Sequence, residues 1–532
     1  MTVVVTVTLA ASAVAIPVLL TGGSTGTADQ PARPQAGEGS GNPPGPPAAP
    51  PPERAGVVHE HEDGTIHTHR DGAPDSWTVT YTGGGTFVPE RLDVGTGDEV
   101  VFVNESPIPV WPASNIHPTH EVLPSFDPPE AIAPGEAWTY TFVDNGYWRY
   151  HNHIDPSETG LVVSSGSAVE SPDPLRLELP ELRFAAVPAG TDGNTLFDDR
   201  DALAAFVEAH GPAATVAVLK QTELSEGRYC HDAAHEAGRV AYETFGPAAF
   251  VLSGHECQAG ALHGSIEALF ADRGTSRLAE DVAAVCATAA NPFLAHQCHH
   301  GVGHGLMAWT SYEIHEALEL CDVIGDEEDR ASCHSGVFME NVVGGLSGLM
   351  GHLTDYLRPD DPHFPCDAIA VDYVDDCYAY QTTHMLAVFD GDFAAVAATC
   401  AELSGSARTL CFYSYGRDVG NATRGDPARA VRLCAHAPAG PDHTGCITGT
   451  AQDRFWETTG ATDAIAVCSL TDADAADAAE AAEVAVADAA EACWWTIIER
   501  AGDLFFDEAG RRSFCDRLPG NWRRNCYSVI LL

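Results

Sequence analysis

Lysine is almost missing: Lys220 stands alone in 532 residues, and Lys and Arg together number 27 against 76 Asp and Glu, a formal net charge of -49. Nucleic acid and anionic membrane surfaces both require a basic face, so neither is expected as the main partner. The acidic excess suits a chain kept soluble in high salt, or one that attracts cations. Cysteine is missing from the whole N-terminal part; all sixteen lie between Cys230 and Cys526. Neither C-x-x-C-H nor H-E-x-x-H occurs, which removes covalent haem attachment and zincin proteolysis. No P-loop is present.

What is there divides the chain into unlike segments, as a length of 532 residues demands. Residues 1–24 are small and apolar up to Leu20, then Gly22, Gly23 and Ser24 follow. That predicts a secretory signal or an uncleaved anchor, although a basic n-region is lacking. No cysteine follows, so a lipid anchor is not expected. Residues 25–56 are rich in Pro, Gly, Ala and Ser and predict a disordered or extended linker. The rest predicts a multi-domain fold. An antiparallel β-sandwich over 76–165 is followed by a Pro-rich linker over 166–199. An all-α domain of disulfide-stapled αα-hairpins then fills 200–532.

Residues 57–75 form a His-rich hairpin segment. His59, His61, His67 and His69 flank Asp63-Gly64, a hairpin turn signal. A three-residue loop over 63–65 would set His61 opposite His67 and His59 opposite His69, with all four imidazoles on one face. Such a set can bind Cu(II), Zn(II) or Ni(II), or it can be a solvated polar strand.

Within 76–165, short strands at 77–81, 99–103, 138–142, 148–150 and 160–163 are separated by Gly, Pro, Asn and Asp. Val94-Gly-Thr-Gly-Asp98 leads into a strand ending at Asn104, and Trp111-Pro-Ala-Ser-Asn-Ile-His117-Pro-Thr-His120-Glu121 follows. Pro134-Gly135-Glu136 precedes the next strand, and the closing run is His151-Asn152-His153-Ile-Asp155-Pro-Ser-Glu158-Thr-Gly160-Leu161. This order resembles the cupredoxin family (plastocyanin or multicopper-oxidase type) over roughly 90 residues, and the last run is similar to the H-C-H-I-D signature of multicopper oxidases. The resemblance implies a copper site at one end of a sandwich. In that frame Asn152 stands where the thiolate would be, Asp155 where a histidine would be, and Glu158 roughly where the axial methionine would be. A blue site needs the thiolate and is excluded. His117, His120, His151 and His153, with Glu158 or Glu121, remain as a non-blue copper or zinc ligand set. Without metal, the same histidines would hold loops by hydrogen bonds.

The cysteines fall into pairs: Cys230 with Cys257, Cys286 with Cys298, Cys321 with Cys333, Cys366 with Cys377, Cys400 with Cys411, Cys434 with Cys446, Cys468 with Cys493, and Cys515 with Cys526. Most members are 11 or 12 apart, and the first members at 366, 400, 434 and 468 recur every 34 residues. A period near 34 with helical composition marks αα-hairpin repeats. Each pair predicts a disulfide across a hairpin turn, with the interval from Cys468 to Cys493 widened by an Asp/Ala/Glu insertion over 471–491.

The first hairpins also carry His231 with His235, His263 with Glu267, and His300 with His304, each spaced i,i+4 and so on one helix face. With Glu340 and His384 they predict a second candidate site along a concave wall of stacked helices, able to hold metal or act as acid and base. Helix-start histidines that satisfy backbone groups are the bland alternative. Later repeats lose the pattern, offering Asp418 and Asp453 instead.

The leading expectation is a secreted or cell-envelope metal-binding protein, for copper or alternatively zinc, without an assigned catalytic activity. A metal-dependent oxidase or hydrolase centred in the repeats is the second expectation. The third is an adhesion or structural protein with a degenerate cupredoxin domain. Expected partners are the metal ion and a protein or peptide on the helical surface. Contact with a membrane is expected only through the N-terminal segment.

Overall fold

A computed structural model describes residues 57–60, 66–69, 74–84, 86–115, 120, 123–165, 174–177, 182–253, 256–289, 291–347, 354–455, 461–477, 480–505 and 507–531. The expected signal segment, the 25–56 linker, His61, His117 and Glu121 lie outside them.

The strands are β1 (Val57–Glu60), β2 (Ile66–His69), β3 (Ser76–Tyr81), β4 (Phe87–Val88), β5 (Arg91–Val94), β6 (Glu99–Asn104), β7 (Pro112–Ser114), β8 (Ala137–Thr141), β9 (Gly146–Asn152) and β10 (Asp155–Ser164). One sheet runs β1-β2-β3-β6-β8, with β4 paired to β3; the other runs β5-β10-β9-β7. Inward positions alternate along β6, where Val100, Phe102 and Asn104 are buried between exposed or half-buried neighbours. Phe126 sits at the centre of the core, stacked on Trp138 at 5.4 Å and edge-on to Tyr150 at 5.5 Å.

The sheets are mixed, which corrects the antiparallel expectation. β3 runs parallel to β6, and β5 parallel to β10. After β3 the chain crosses to the second sheet through β5 before returning as β6, and only such a crossover can bring a strand back in the same direction. The hairpin register is also corrected: His59 pairs with His67, and His69 with Val57. The last described pair is Glu60 with Ile66. β2 continues onto β3, so the hairpin extends the larger sheet.

The rest is helical. Helix starts follow local chemistry. Asn291 caps Pro292–Trp309 through Leu294 N with proline at the first position, and Asp326 closes a capping box on Glu327–Met339. Eight disulfides staple this region, and they join the pairs that the cysteine spacing groups together. Cys230 bonds Cys257, Cys286 bonds Cys298, Cys321 bonds Cys333 and Cys366 bonds Cys377. Cys400 bonds Cys411, Cys434 bonds Cys446, Cys468 bonds Cys493 and Cys515 bonds Cys526. The 471–491 insertion lengthens two helices, Ala461–Asp477 and Glu480–Leu504. Eight disulfides belong to an oxidising, extracytoplasmic setting. Among the described residues no helix is long and apolar enough to cross a membrane.

His231–Phe245 packs on Gly260–Arg273, that helix on Pro292–Trp309, and that one on Glu327–Met339. Glycine allows these crossings. A Cβ on Gly264 would lie 1.9 Å from the His235 carbonyl oxygen, and one on Gly336 would lie 2.0 Å from that of His300. Backbones this close bring histidines from successive helices together. The sandwich docks on the helices through Arg149 of β9, only 6% exposed. Its guanidinium donates to Ser311 O at 3.0 Å, to Asp355 at 2.9 Å and to Glu313, while Ser311 Oγ donates to Tyr147 O at 2.6 Å. Within the expected 166–199 linker, Leu175 and Leu177 pack against the helical core.

Candidate metal centres

Three imidazoles meet at one end of the sandwich. β9 delivers His151, the turn after it delivers His153, and the segment after β7 delivers His120. Donor atoms of the three all lie within 4.8 Å of one another. His120 Nε2 is 2.9 Å from His153 Nδ1. Each ring is held from outside. His120 Nδ1 meets Asp127 at 3.0 Å, and Trp111 donates to the other oxygen of that carboxylate at 2.9 Å. These contacts outweigh the effect of burial and hold the Asp127 carboxyl below its ordinary range. His151 Nδ1 meets Asn115 Oδ1 at 3.1 Å, and His153 lies against the Trp111 ring at 5.1 Å. With Nδ1 donating to Asp127, the neutral ring of His120 keeps its lone pair on Nε2, facing the other two. His120 has φ 55°, a left-handed conformation that costs a non-glycine residue about 1–2 kcal/mol. His120 and His151 are buried and His153 half-buried, so the cluster is reached from the His153 side.

Asn152 takes up hydrogen bonds where the cupredoxin resemblance puts a thiolate. Its Oδ1 accepts from Trp111 N and Ile154 N, and its Nδ2 donates to Glu158 at 2.7 Å. Glu158 also accepts from Tyr81 Oη, whose pKa is pushed up to about 12 by burial and by that carboxylate. Both bonds use one oxygen of Glu158, and Glu158 is not among the three residues whose donor atoms converge. Asp155 is solvent-facing and bonded to Ser157.

The second cluster lies in the helical region. It is buried rather than spread along a concave wall, because the glycine crossings bring the helices into contact; His263 and His300 are fully buried. His231 Nε2 and His235 Nε2 are 3.1 Å apart, and so are His300 Nε2 and His304 Nε2. The opposite nitrogens are anchored. His231 Nδ1 meets the Cys257 carbonyl at 2.9 Å and His235 Nδ1 meets Glu267 at 2.8 Å. His300 Nδ1 meets Ser335 Oγ at 2.8 Å and His304 Nδ1 meets Glu340 at 2.6 Å. Glu267 also binds Arg239, and Glu340 accepts from Tyr312 Oη at 2.7 Å. His263 stacks on His304 at 4.9 Å and lies 5.3 Å from His235, and neither of its nitrogens has a hydrogen-bond partner among the described residues.

Burial, reinforced by the neighbouring imidazoles, pushes His231 down to about 3 and His263 and His300 well below the usual histidine value. Burial also works against charge on His235, but the Glu267 carboxylate outweighs it and raises that pKa. Glu267 itself, despite burial, is held near 2 by His235 and Arg239.

Backbone strain gathers here too. Cys257, Gln258 and Ala259 are consecutive left-handed residues and present the carbonyl that anchors His231; Ser311 and Tyr312 are left-handed as well. Glu340 opens a π-helical turn, Glu340–Gly344, a form common at functional sites. His384 stays out of the cluster: its Nε2 meets the Asp361 carbonyl at 3.1 Å, because the Thr382–Val388 helix packs against that loop. Asp127, Asn115, Tyr312 and Ser335 carry no local signal in the sequence. Arg239 does, since it continues the i,i+4 row of His231 and His235.

No family model matches the chain, and no curated protein does. Among solved structures, it is similar to a novel purple cupredoxin from Nitrosopumilus maritimus, with 22% identity, 16% of this chain and 98% of that one covered, and a TM-score of 0.15. A point mutant of amicyanin in its Cu(I) form matches at 24% identity over 18% of this chain and 86% of its own, with a TM-score of 0.15. A copper-containing nitrite reductase from Thermus scotoductus SA-01 matches at 22% identity over 16% of this chain and 22% of its own, with a TM-score of 0.14.

Proposed function

We propose that the chain is an exported metal-binding protein whose cupredoxin-like sandwich holds copper through His120, His151 and His153, with the helical region as its scaffold. The observation that carries this reading is the convergence of three imidazoles, with His120 fixed by Asp127 and His151 by Asn115, so that donor nitrogens face one another. At metal–nitrogen bonds of about 2.05 Å, two adjacent ligands of a square-planar ion stand about 2.9 Å apart, and two of a tetrahedral ion about 3.3 Å. The His120–His153 separation of 2.9 Å fits the tetragonal preference of Cu(II) with imidazole donors. With Asn152 in place of a thiolate, such copper would lack the intense charge-transfer colour of a blue site, and its role would be capture or delivery rather than fast electron transfer. Zinc is the alternative occupant.

Titration of the full chain with Cu(II), followed by calorimetry and electron paramagnetic resonance, tests the reading. A non-blue nitrogen-ligated signal is expected, lost in the double variant carrying His120→Ala and His153→Ala. If nothing binds more tightly than about 1 mM, or if that variant binds as well as the parent, the sandwich assignment is wrong.

A further inference from the structure

The helical cluster is built twice from the same parts. In each half a helix supplies two histidines one turn apart, and a helix packed against it, with the turn adjoining that helix, supplies the groups that anchor their Nδ1 atoms. Cys257 O and Glu267 serve His231 and His235, while Ser335 and Glu340 serve His300 and His304. We propose that this is a two-cation centre, separate from the sandwich site. One divalent ion is held by His231, His235 and His263 and a second by His300 and His304, with Glu267 and Glu340 as positioning residues.

The acceptors decide the tautomers. A carbonyl and a carboxylate can only accept, so Nδ1 of His231, His235 and His304 each carries the proton. Ser335 gives its own hydroxyl proton to the Ser332 carbonyl at 2.7 Å, so it too accepts, and His300 Nδ1 is the donor. Every neutral ring then keeps its lone pair on Nε2. Two neutral rings whose lone pairs face each other 3.1 Å apart in a buried site, as at His300 and His304, repel unless a cation lies between them; at His235, which Glu267 favours in the charged form, a proton competes with the metal ion for that place. The separation lies between the square-planar and tetrahedral ligand spacings given above, so the rings already stand where one ion would hold them. His263, fully buried with both nitrogens unpartnered among the described residues, is the independent sign of a missing ligand, since a buried imidazole without hydrogen bonds is costly. His231, His235 and His263 place donor atoms within 4.8 Å of one another. Carboxylate behind imidazole, as at Glu267 and Glu340, is the outer arrangement of metal-bound histidines.

An open cleft of ≈ 770 Å³, lined by Glu243, Asp272, Arg239 and Glu267, reaches the carboxylate that anchors His235. Imidazole donors without thiolate select borderline divalent ions, namely Cu(II), Zn(II) or Co(II).

The experiment uses the full chain, stripped with chelator and reloaded with Cu(II). Two coppers this close in the parent protein are expected to give a half-field paramagnetic resonance transition, which one isolated copper cannot give. It should vanish when His231→Ala and His235→Ala are combined, and again when His300→Ala and His304→Ala are combined. Each of these double variants loses one bound ion, while the sandwich signal persists. Conversely, His120→Ala with His153→Ala removes the sandwich signal and leaves the half-field transition. Absence of that transition in the fully loaded parent overturns the proposal without requiring any variant to fold. Unchanged ion content in both helical variants also overturns it, and the Nε2 contacts are then proton-sharing hydrogen bonds.

Discussion

Replacing Gly264 with alanine adds one methyl group where two helices touch. The new Cβ would lie 1.9 Å from the His235 carbonyl oxygen, and real Cβ atoms essentially never approach closer than 3.0 Å, so the helices must part by about 1.1 Å. A backbone carbonyl cannot rotate away as a side chain would, which places the overpacking cost near the upper end of its usual range, about 3 kcal/mol. Alanine is a better helix former than glycine by about 1 kcal/mol, leaving a net loss of about 2 kcal/mol. Gly445 is the control. It also lies within a helix, Pro441–Arg454, but its nearest neighbour would be Phe412 Cβ at 3.4 Å, an ordinary contact. Gly445→Ala should therefore be neutral or stabilising by up to about 1 kcal/mol. Far-UV circular dichroism melts of both variants measure the difference: Tm should fall by a few degrees for Gly264→Ala and hold or rise for Gly445→Ala. The shift also moves His263, on the same helix as Gly264, away from His231 and His235, so Gly264→Ala should weaken metal uptake by the helical centre. Equal Tm changes in the two variants would refute the close crossing that brings these histidines together.

Asp453 is buried with neither carboxylate oxygen hydrogen-bonded among the described residues, and burial raises its pKa to about 6. A raised acid binds its proton more tightly when folded, so its contribution to stability is lost as pH rises from about 4 to about 6. Asp453→Asn should stabilise the protein by about 2–3 kcal/mol at pH 7 and hardly at all below pH 4; denaturant melts at the two pH values check this. Arg149→Ala leaves the half-buried Glu313 with the Tyr356 hydroxyl but without its cation at the interface between sandwich and helices, a loss of about 1–3 kcal/mol. Limited proteolysis should then release the sandwich, and a digestion pattern like that of the parent would argue against this docking.

Some of this architecture is legible in the chain alone. Cysteines 11 or 12 apart, such as Cys321 with Cys333 and Cys400 with Cys411, read as staples because a short turn between helices fixes that spacing. The i,i+4 histidine pairs read as helix faces for the same periodic reason. The parallel pairings of β3 with β6 and β5 with β10 are not legible, because local alternation says nothing about which distant strand returns alongside. The hairpin register is not legible either, because Asp63-Gly64 signals a turn without stating its length. The outer anchors are out of reach for a related cause. Asp127, Asn115, Ser335 and Tyr312 act through single long-range bonds, and no period marks them. Glu158 reads like a ligand from its distance along the chain, and the bonds of its carboxylate to Tyr81 and Asn152 are not marked there.

The two left-handed residues Ser311 and Tyr312 face opposite ways in their bonding. Ser311 is gripped by Arg149 and Tyr147 of β9, while Tyr312 reaches Glu340, the carboxylate behind His304. The two bonded networks are thus joined through a single peptide bond. A change in how the sandwich sits on the helices would therefore act on the backbone that carries Tyr312, one peptide bond from the contact itself.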